Sequence, residues 1–265
     1  MYAIVFHAHQ KINRTSRRHL QKLLGDNQFF PSARSIMHFE GKNGPDAAKL
    51  KKQHQDQPWH FVDPFNDEDD QLNQLIEQHY NELVSALKQQ DLVRSSFEAS
   101  WLAHALVDGL TPAHHYPYEE ELAKLRGGEE RHTRKGLVGR GFVKGDTMLE
   151  SWQRSLKLVG PKGLLTTHAL FEAGAWAIMR PLRLYKAMPT AEELANIQSE
   201  GVAAVFRATA REIAELQIYH RFIARGWTLT LRRDVRRELA PRMVRMVTLA
   251  WYAAAAQAAK EQPAA

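Results

Sequence analysis

The chain has 265 residues, 44% hydrophobic and 25% charged, a composition typical of one large or two small globular domains. It contains no cysteine, which excludes disulfides, a thiolate nucleophile and every cysteine-based zinc, haem or iron–sulfur site. Any metal must therefore be held by histidine and carboxylate. The net charge of +6 favours polyanionic partners, such as phosphate esters, nucleic acid or anionic membrane surfaces, without choosing among them.

Helical periodicity dominates the chain, and no segment alternates with a period of two. The sequence therefore predicts an all-α protein, a multi-helix bundle of roughly seven to nine helices forming a single domain over 1–265. The predicted helices, in chain order, are 5–24, 72–87, 94–109, 147–158, 163–179, 191–224 and 230–260.

The N-terminal residues have neither a basic region nor a long apolar region, so no signal peptide is predicted. No run of about 18 apolar residues occurs, so no transmembrane helix is expected. Together these features predict a cytoplasmic location.

Two segments are strongly basic. A glycine-rich stretch over 127–145 is interpreted as a solvated linker or as a flexible flap that contacts anions. Near the C-terminus the basic residues are Arg232, Arg233, Arg236, Arg237, Arg242 and Arg245. They either contact phosphates or membrane headgroups, or form a solvated face that pairs with Asp234 and Glu238.

Histidine and acid residues recur at a spacing of one helical turn. His104 precedes Asp108, and His168 precedes Glu172, so each pair points from one face of a predicted helix. His114 extends the first pair just beyond Thr111-Pro112, where the helix ends. Composition alone gives that three-residue pattern an expected frequency of roughly 0.03 per chain, so it favours a metal site. The alternative is a set of hydrogen-bonded core histidines.

The segment from Trp101 to His114, WLAHALVDGLTPAH, resembles the central motif of the zinc-dependent phospholipase C and S1/P1 nuclease superfamily, in its bacterial phospholipase branch. Further segments match in order: His9 with Ile12-Asn13-Arg14, Gly44-Pro45-Asp46, His60-Phe61-Val62-Asp63-Pro64, and His168 with Glu172. The resemblance covers about 1–175 and implies an all-helical metal-binding core. Residues 176–265 are expected to form additional C-terminal helices.

The resemblance also implies a ligand set. The first zinc would be held by Asp46, His60, His104 and Asp108. The second would be held by His114, His168 and Glu172. In the family a third zinc uses the early histidine, here His9 or its neighbour His7, together with an N-terminal tryptophan. This chain begins Met1-Tyr2 instead, so two zinc ions are the expectation and a third is left open.

These features predict a zinc-dependent phosphoester hydrolase, a phospholipase C-like phosphodiesterase that uses a metal-activated water. Asp46 is the candidate catalytic residue, as a ligand, as the base that orients the water, or as both. The expected substrate is a phospholipid, nucleic acid or nucleotide, with peripheral contact to an anionic membrane and no obligate protein partner. The alternatives are a single-strand nuclease or nucleotidase of the same fold, and a non-catalytic helical module with a structural or degenerate metal site.

Overall fold

The computed structural model describes residues 2–25, 28–40, 44–45, 61–125 and 147–260, with side chains except at 2–7, 118 and 119. These residues form helices and no strand, which confirms the all-α prediction. The α-helices are α1 (Tyr2–Leu24), α2 (Ala33–His38), α3 (Gln71–Lys88), α4 (Leu92–Gly109), α5 (Tyr118–Leu125), α6 (Met148–Val159), α7 (Leu164–Met179), α8 (Ala191–Glu200), α9 (Val202–Glu215), α10 (Ile218–Arg225), α11 (Leu229–Asp234) and α12 (Ala240–Lys260). Short 3₁₀-helices cover Pro112–His115 and Leu184–Lys186.

Helix α4 is the central helix, because thirteen of its eighteen residues are buried. The Asp91 carboxylate caps its N-terminus by accepting hydrogen bonds from the backbone amides of Val93 and Arg94, both at 2.9 Å. Helix α3 packs along α4, and α12 packs against α1, α3 and α4. The buried polar residues of α4, His104 and Asp108 among them, therefore lie inside the bundle rather than on its surface.

One hydrophobic cluster runs from Ile12 in α1 to Ala258 in α12. The C-terminal helices therefore share a core with the part of the chain that carries the predicted ligands. Ser16 donates a hydrogen bond to the carbonyl of Val244 at 3.0 Å, which ties α1 to α12 within that core. No helix in the described ranges is both long and apolar enough to span a membrane.

The prediction of one helix over 191–224 is wrong. Gly201 (φ +86°) separates α8 from α9, and Gln217 (φ +54°) separates α9 from α10; both adopt backbone conformations outside the α-helical region. The predicted helix over 230–260 is interrupted by a π-helical turn at Val235–Leu239. These breaks and the unpredicted short helices raise the count to twelve α-helices in the described residues, above the predicted number.

Candidate metal centre

Asp108 stands at the centre of the buried histidine and carboxylate residues. Its carboxylate Oδ1 lies 3.3 Å from Nε2 of His9 on α1, and Oδ2 lies 3.3 Å from Nε2 of His104, one turn earlier on α4. The two imidazole rings stack with centroids 4.2 Å apart and planes 12° from parallel. All three residues are buried. One carboxylate thus faces two parallel imidazoles, each with Nε2 towards it.

Both ring nitrogens of His104 face carboxylates. Nδ1 lies 3.0 Å from Oε1 of Glu40, and Nε2 faces Asp108. A neutral imidazole carries one N–H, so it can donate to only one of these two acids. The second contact requires a cation, either a further proton or a metal ion. An N–H on Nδ1 that donates to Glu40 leaves the Nε2 lone pair available to a metal, as in carboxylate–histidine–zinc arrangements.

A second group lies on the other side of residue 108. The 3₁₀-helix at Pro112–His115 turns the chain back so that His114 Nδ1 donates a hydrogen bond to the carbonyl of Asp108 at 2.9 Å. Nε2 of His114 and Nε2 of His168 then point at the same oxygen of Glu172, at 3.3 and 3.1 Å. The two rings stack with centroids 5.2 Å apart. Residue 108 therefore joins the groups, with its carboxylate in one and its carbonyl contacting the other.

The donor atoms of this second group fit a metal ion. The carbonyl of Asp108 can only accept, so the proton of a neutral His114 resides on Nδ1 and its Nε2 lone pair faces a carboxylate oxygen. That contact is favourable only with a cation between the atoms: either a second proton, which makes His114 a donor to Glu172, or a metal ion. Burial raises the pKa of Glu172, but His168 and the hydrogen bonds from His114 and His168 outweigh it, so the pKa lies well below its usual range. The carboxylate is therefore ionised and available as a ligand.

Among the described residues, two sets satisfy the spacing needed to hold a metal ion. In each set, one ligand atom per residue lies within 4.8 Å of the others. The sets are His9, Glu40 and His104, and His114, His168 and Glu172. Imidazole nitrogen and carboxylate oxygen are the zinc donors left to a chain without cysteine.

Aromatic side chains pack against the second ligand group. Phe61 meets the rings of His114 and His168 edge-on, with centroids 5.3 and 6.4 Å away. The backbone amide of Val62 donates to the carbonyl of His114 at 3.1 Å, which fixes this segment against the group. Tyr219 of α10 approaches His168 with centroids 6.4 Å apart, and burial raises its pKa above the ordinary tyrosine value. Its hydroxyl is therefore protonated at neutral pH.

Most of the ligand residues inferred from the resemblance come together. Those that the structure places in the two groups are His9, His104, Asp108, His114, His168 and Glu172. Asp46 and His60 lie outside the described residues, as do Met1 and the whole basic stretch over 127–145; the side chain of His7 is also outside them. Of the two early histidines, His9 is the one whose contacts with the cluster are described.

Glu40 is the buried acid that sequence reasoning missed. It lies just after α2 and 64 residues before His104, so no local spacing connects the two. Its Oε2 accepts hydrogen bonds from Asn13 and Ser100, at 3.4 and 3.3 Å, while Oε1 faces His104. We interpret Glu40 as a positioning residue because all its described hydrogen bonds hold it against Nδ1, the nitrogen of His104 away from Asp108.

If the groups hold zinc, replacing Glu40 with glutamine is expected to weaken zinc binding by about 10- to 100-fold, the usual effect of losing a carboxylate that orients a ligand histidine. The amide keeps the shape but not the charge that stabilises the His104 Nδ1–H. Competition with a chromogenic chelator measures the affinity. Glu121→Gln is the matched control, because Glu121 is a surface acid paired with Lys124. Equal affinities for Glu40→Gln and wild type would show that Glu40 does not orient His104.

Two further histidines, outside both ligand groups, have structural roles. His79 is buried and its Nδ1 lies 2.6 Å from the Glu98 carboxylate, which also pairs with Arg94 at 2.6 Å. His115 donates from Nε2 to the carbonyl of Gly109 at 2.7 Å, at the end of α4. Burial lowers the pKa of His115 to about 4, so it is neutral at pH 7.

No family model matches the chain, and neither a curated protein nor a solved structure matches it.

Proposed function

We propose that the protein is a zinc-dependent phosphoester hydrolase, a phospholipase C-like phosphodiesterase. The observation that carries the proposal is the pair of histidine and carboxylate groups joined through residue 108 inside the bundle. The chain buries several ionisable side chains there, which is costly unless they are paired or hold a metal. The resemblance of the same residues to the phospholipase C and P1 nuclease motif supports the choice of reaction.

The ligand set is assigned from the contacts, with Asp108 in place of Glu40 in the first set, because Asp108 faces Nε2 of both His9 and His104 whereas Glu40 faces Nδ1 of His104. His9, His104 and Asp108 would hold one zinc, and His114, His168 and Glu172 would hold another. In the family resemblance Asp46 and His60 join His104 and Asp108 on the first zinc and His9 belongs to a third site, so this grouping differs from the resemblance, and Asp46 and His60 stay predictions. Zinc ions held by these residues would polarise a phosphoryl group and lower the pKa of a bound water towards about 7.

The chain's own side chains set up that chemistry. Glu40 and the carbonyl of Asp108 direct Nε2 of His104 and of His114 into the two groups. The ionised Glu172 balances positive charge in the second group. Phe61 covers the rings of His114 and His168, which limits the access of bulk water from that side. Asp46 remains the predicted residue for orienting the attacking water.

A surface of four arginines favours the second candidate, a single-strand nuclease or nucleotidase. Arg232, Arg233, Arg236 and Arg237 line a shallow cavity of about 360 Å³ together with Leu229. Part of the expected pairing with acids is present, since Arg242 pairs with Glu238 and Arg245 pairs with Glu193. Asp234 pairs mainly with Arg221, so the four arginines of this surface have little acidic pairing in the described residues. Only Arg233 reaches Asp234, at 3.9 Å. Such a surface attracts a phosphate backbone.

Metal content, measured by mass spectrometry on protein purified without a chelator or a histidine tag, tests the proposal. We expect two or three zinc ions per chain, lost in His104→Ala/Asp108→Ala, together with metal-dependent hydrolysis of a water-soluble phosphodiester. Hydrolysis of single-stranded nucleic acid in preference to phospholipid would favour the nuclease. Stoichiometric zinc with four protein ligands and no hydrolysis would indicate a structural site. A well-folded protein without stoichiometric metal would overturn the proposal.

A further inference from the structure

Helix α6 turns its most apolar side outwards. Its large apolar residues Met148, Leu149 and Trp152 are 88%, 65% and 61% exposed, and Leu156 and Val159 are exposed as well. At 100° per residue these five side chains occupy an arc of about 100° on one side of the helix. The side that packs inwards buries Ser151 and Leu158. We refer to the five exposed residues as the outer face of α6.

This arrangement is the reverse of an ordinary amphipathic helix, whose apolar stripe faces the core. A contiguous exposed apolar stripe with a tryptophan marks a surface that binds a partner or a membrane. Positive charge borders it: Lys157 and Lys162 are exposed and form no ion pair within the described ranges, whereas Arg154 pairs with Glu150. An apolar stripe with aromatic and basic residues is typical of helices that lie in the surface of anionic membranes.

The outer face of α6 is too small for a stable dimer by itself. A helix of 12 residues is about 18 Å long and about 11 Å across, so the stripe covers about 200 Å². A stable protein–protein interface buries about 800 Å² on each partner. A membrane surface needs no complementary shape and accepts a single helix that sinks about 5–10 Å into it.

The same helix adjoins the candidate metal centre. Its inward residue Leu158 is fully buried and packs in a small hydrophobic cluster with Phe61 and Leu122. Phe61 in turn contacts the rings of His114 and His168. Helix α6 also packs against α7, which carries His168 and Glu172. A membrane or partner bound to the outer face of α6 would therefore lie close to the second ligand group.

We infer that the outer face of α6 inserts into anionic phospholipid membranes and holds the metal centre next to the lipid phosphodiester. The placement of the metal centre next to the lipid phosphodiester rests on the proposed function, whereas the membrane binding of α6 does not. The partner is then a lipid bilayer that carries negative headgroups, and the membrane delivers the substrate.

Because the chain has no cysteine, one introduced cysteine can be labelled uniquely with an environment-sensitive fluorophore. Leu149→Cys probes the outer face, and Val93→Cys, equally exposed on α4, is the control. On vesicles of equal parts phosphatidylcholine and phosphatidylglycerol, the label at 149 should shift to the blue and the label at 93 should not. The shift should weaken on pure phosphatidylcholine and at high salt. No shift at 149, or equal shifts at both positions, would overturn the inference.

A variant pair then links membrane binding to turnover. Trp152→Ser/Leu156→Ser should lower vesicle partitioning at least tenfold, and should lower the ratio of vesicle-lipid to soluble-diester hydrolysis by a similar factor. Leu92→Ser/Val93→Ser removes two exposed apolar side chains from α4 and should leave both unchanged. Partitioning needs no turnover, so a chain that binds vesicles through α6 and hydrolyses nothing refutes only the proposed function. Hydrolysis of the soluble diester without vesicle binding refutes the membrane role.

A second copy of the chain is the other occupant of the outer face of α6 that must be tested. Sedimentation velocity of the wild type should show a monomer, and Trp152→Ser/Leu156→Ser should sediment identically. A wild-type dimer that this variant dissociates would mean that a second copy covers the face, which overturns the inference. A Leu149→Cys label that is already shielded in the monomer, before vesicles are added, would mean that the chain itself covers the face, with the same consequence.

Discussion

Replacing Asp108 with asparagine is expected to release zinc and to lower phosphodiester hydrolysis by about 1,000-fold or more, since bound metal supplies several kcal/mol of transition-state stabilisation. Both carboxylate oxygens face imidazole Nε2 atoms, one from His9 and one from His104. Asparagine keeps the shape but removes the charge and places an amide NH₂ where one oxygen was. The backbone carbonyl of residue 108, which accepts a hydrogen bond from His114, is unchanged, so the variant tests the role of the Asp108 side chain alone.

Metal content and initial rates measure this effect, and Asp234→Asn is the control. Asp234 is a partly buried acid that pairs with Arg221, away from the ligand groups, so its neutral variant should keep zinc and activity. A bound metal also stabilises the folded state by mass action. Adding a chelator should therefore lower the thermal midpoint of the wild type, and should lower that of Asp108→Asn by less, because the variant keeps only the second ligand group. An Asp108→Asn protein that retained both zinc and full activity would contradict the proposed ligand role.

The elements that could be predicted are those whose signals are local. The apolar spacing of α3 depends on residues within a few positions of each other. The Asp91 cap that precedes α4 is equally local, although the sequence predicts that helix only from residue 94. The turn after α4 follows from Thr111-Pro112, which also brings His114 back to the carbonyl of Asp108. For this reason the His104, Asp108 and His114 arrangement could be read from a segment of eleven residues.

The parts that could not be predicted depend on distant residues. Glu40 meets His104 only because α2 packs on α4, and nothing in the sequence around Glu40 marks that contact. His79 looks like a surface residue of α3 until its pairing with Glu98 on α4 is known. The positive φ of Gln217 breaks the long predicted helix although glutamine is a good helix former.

The meeting of the two ends of the chain is the least local feature. His9 reaches Asp108 from α1, whose position depends on α12: the two helices pack together, and Ser16 bonds to Val244. The sequence resemblance ends near residue 175, yet the helices beyond it complete the core that supports the ligands. We therefore expect the C-terminal helices to be needed for folding of the part that carries the candidate ligands.

Trp251→Ala tests that dependence and is expected to lower the free energy of unfolding by about 3–5 kcal/mol, the usual cost of truncating a buried tryptophan. Trp251 on α12 has no exposed surface, and its indole N–H donates to the carbonyl of Ala99 on α4 at 3.0 Å. The substitution leaves a cavity between α12 and the helix that carries His104. Denaturant unfolding followed by circular dichroism measures the change.

Trp152→Ala is the matched control, because the same truncation at an exposed position of α6 should change stability by less than about 0.5 kcal/mol. If α12 supports the site through the core, Trp251→Ala should also lose zinc at a lower denaturant concentration than the wild type, with unfolding and metal release coinciding. Metal release well before unfolding would mean that the ligands can separate while α12 stays packed. Unchanged stability in Trp251→Ala would instead show that the C-terminal helices are dispensable to the core, and the metal-binding part would then be a fold of its own.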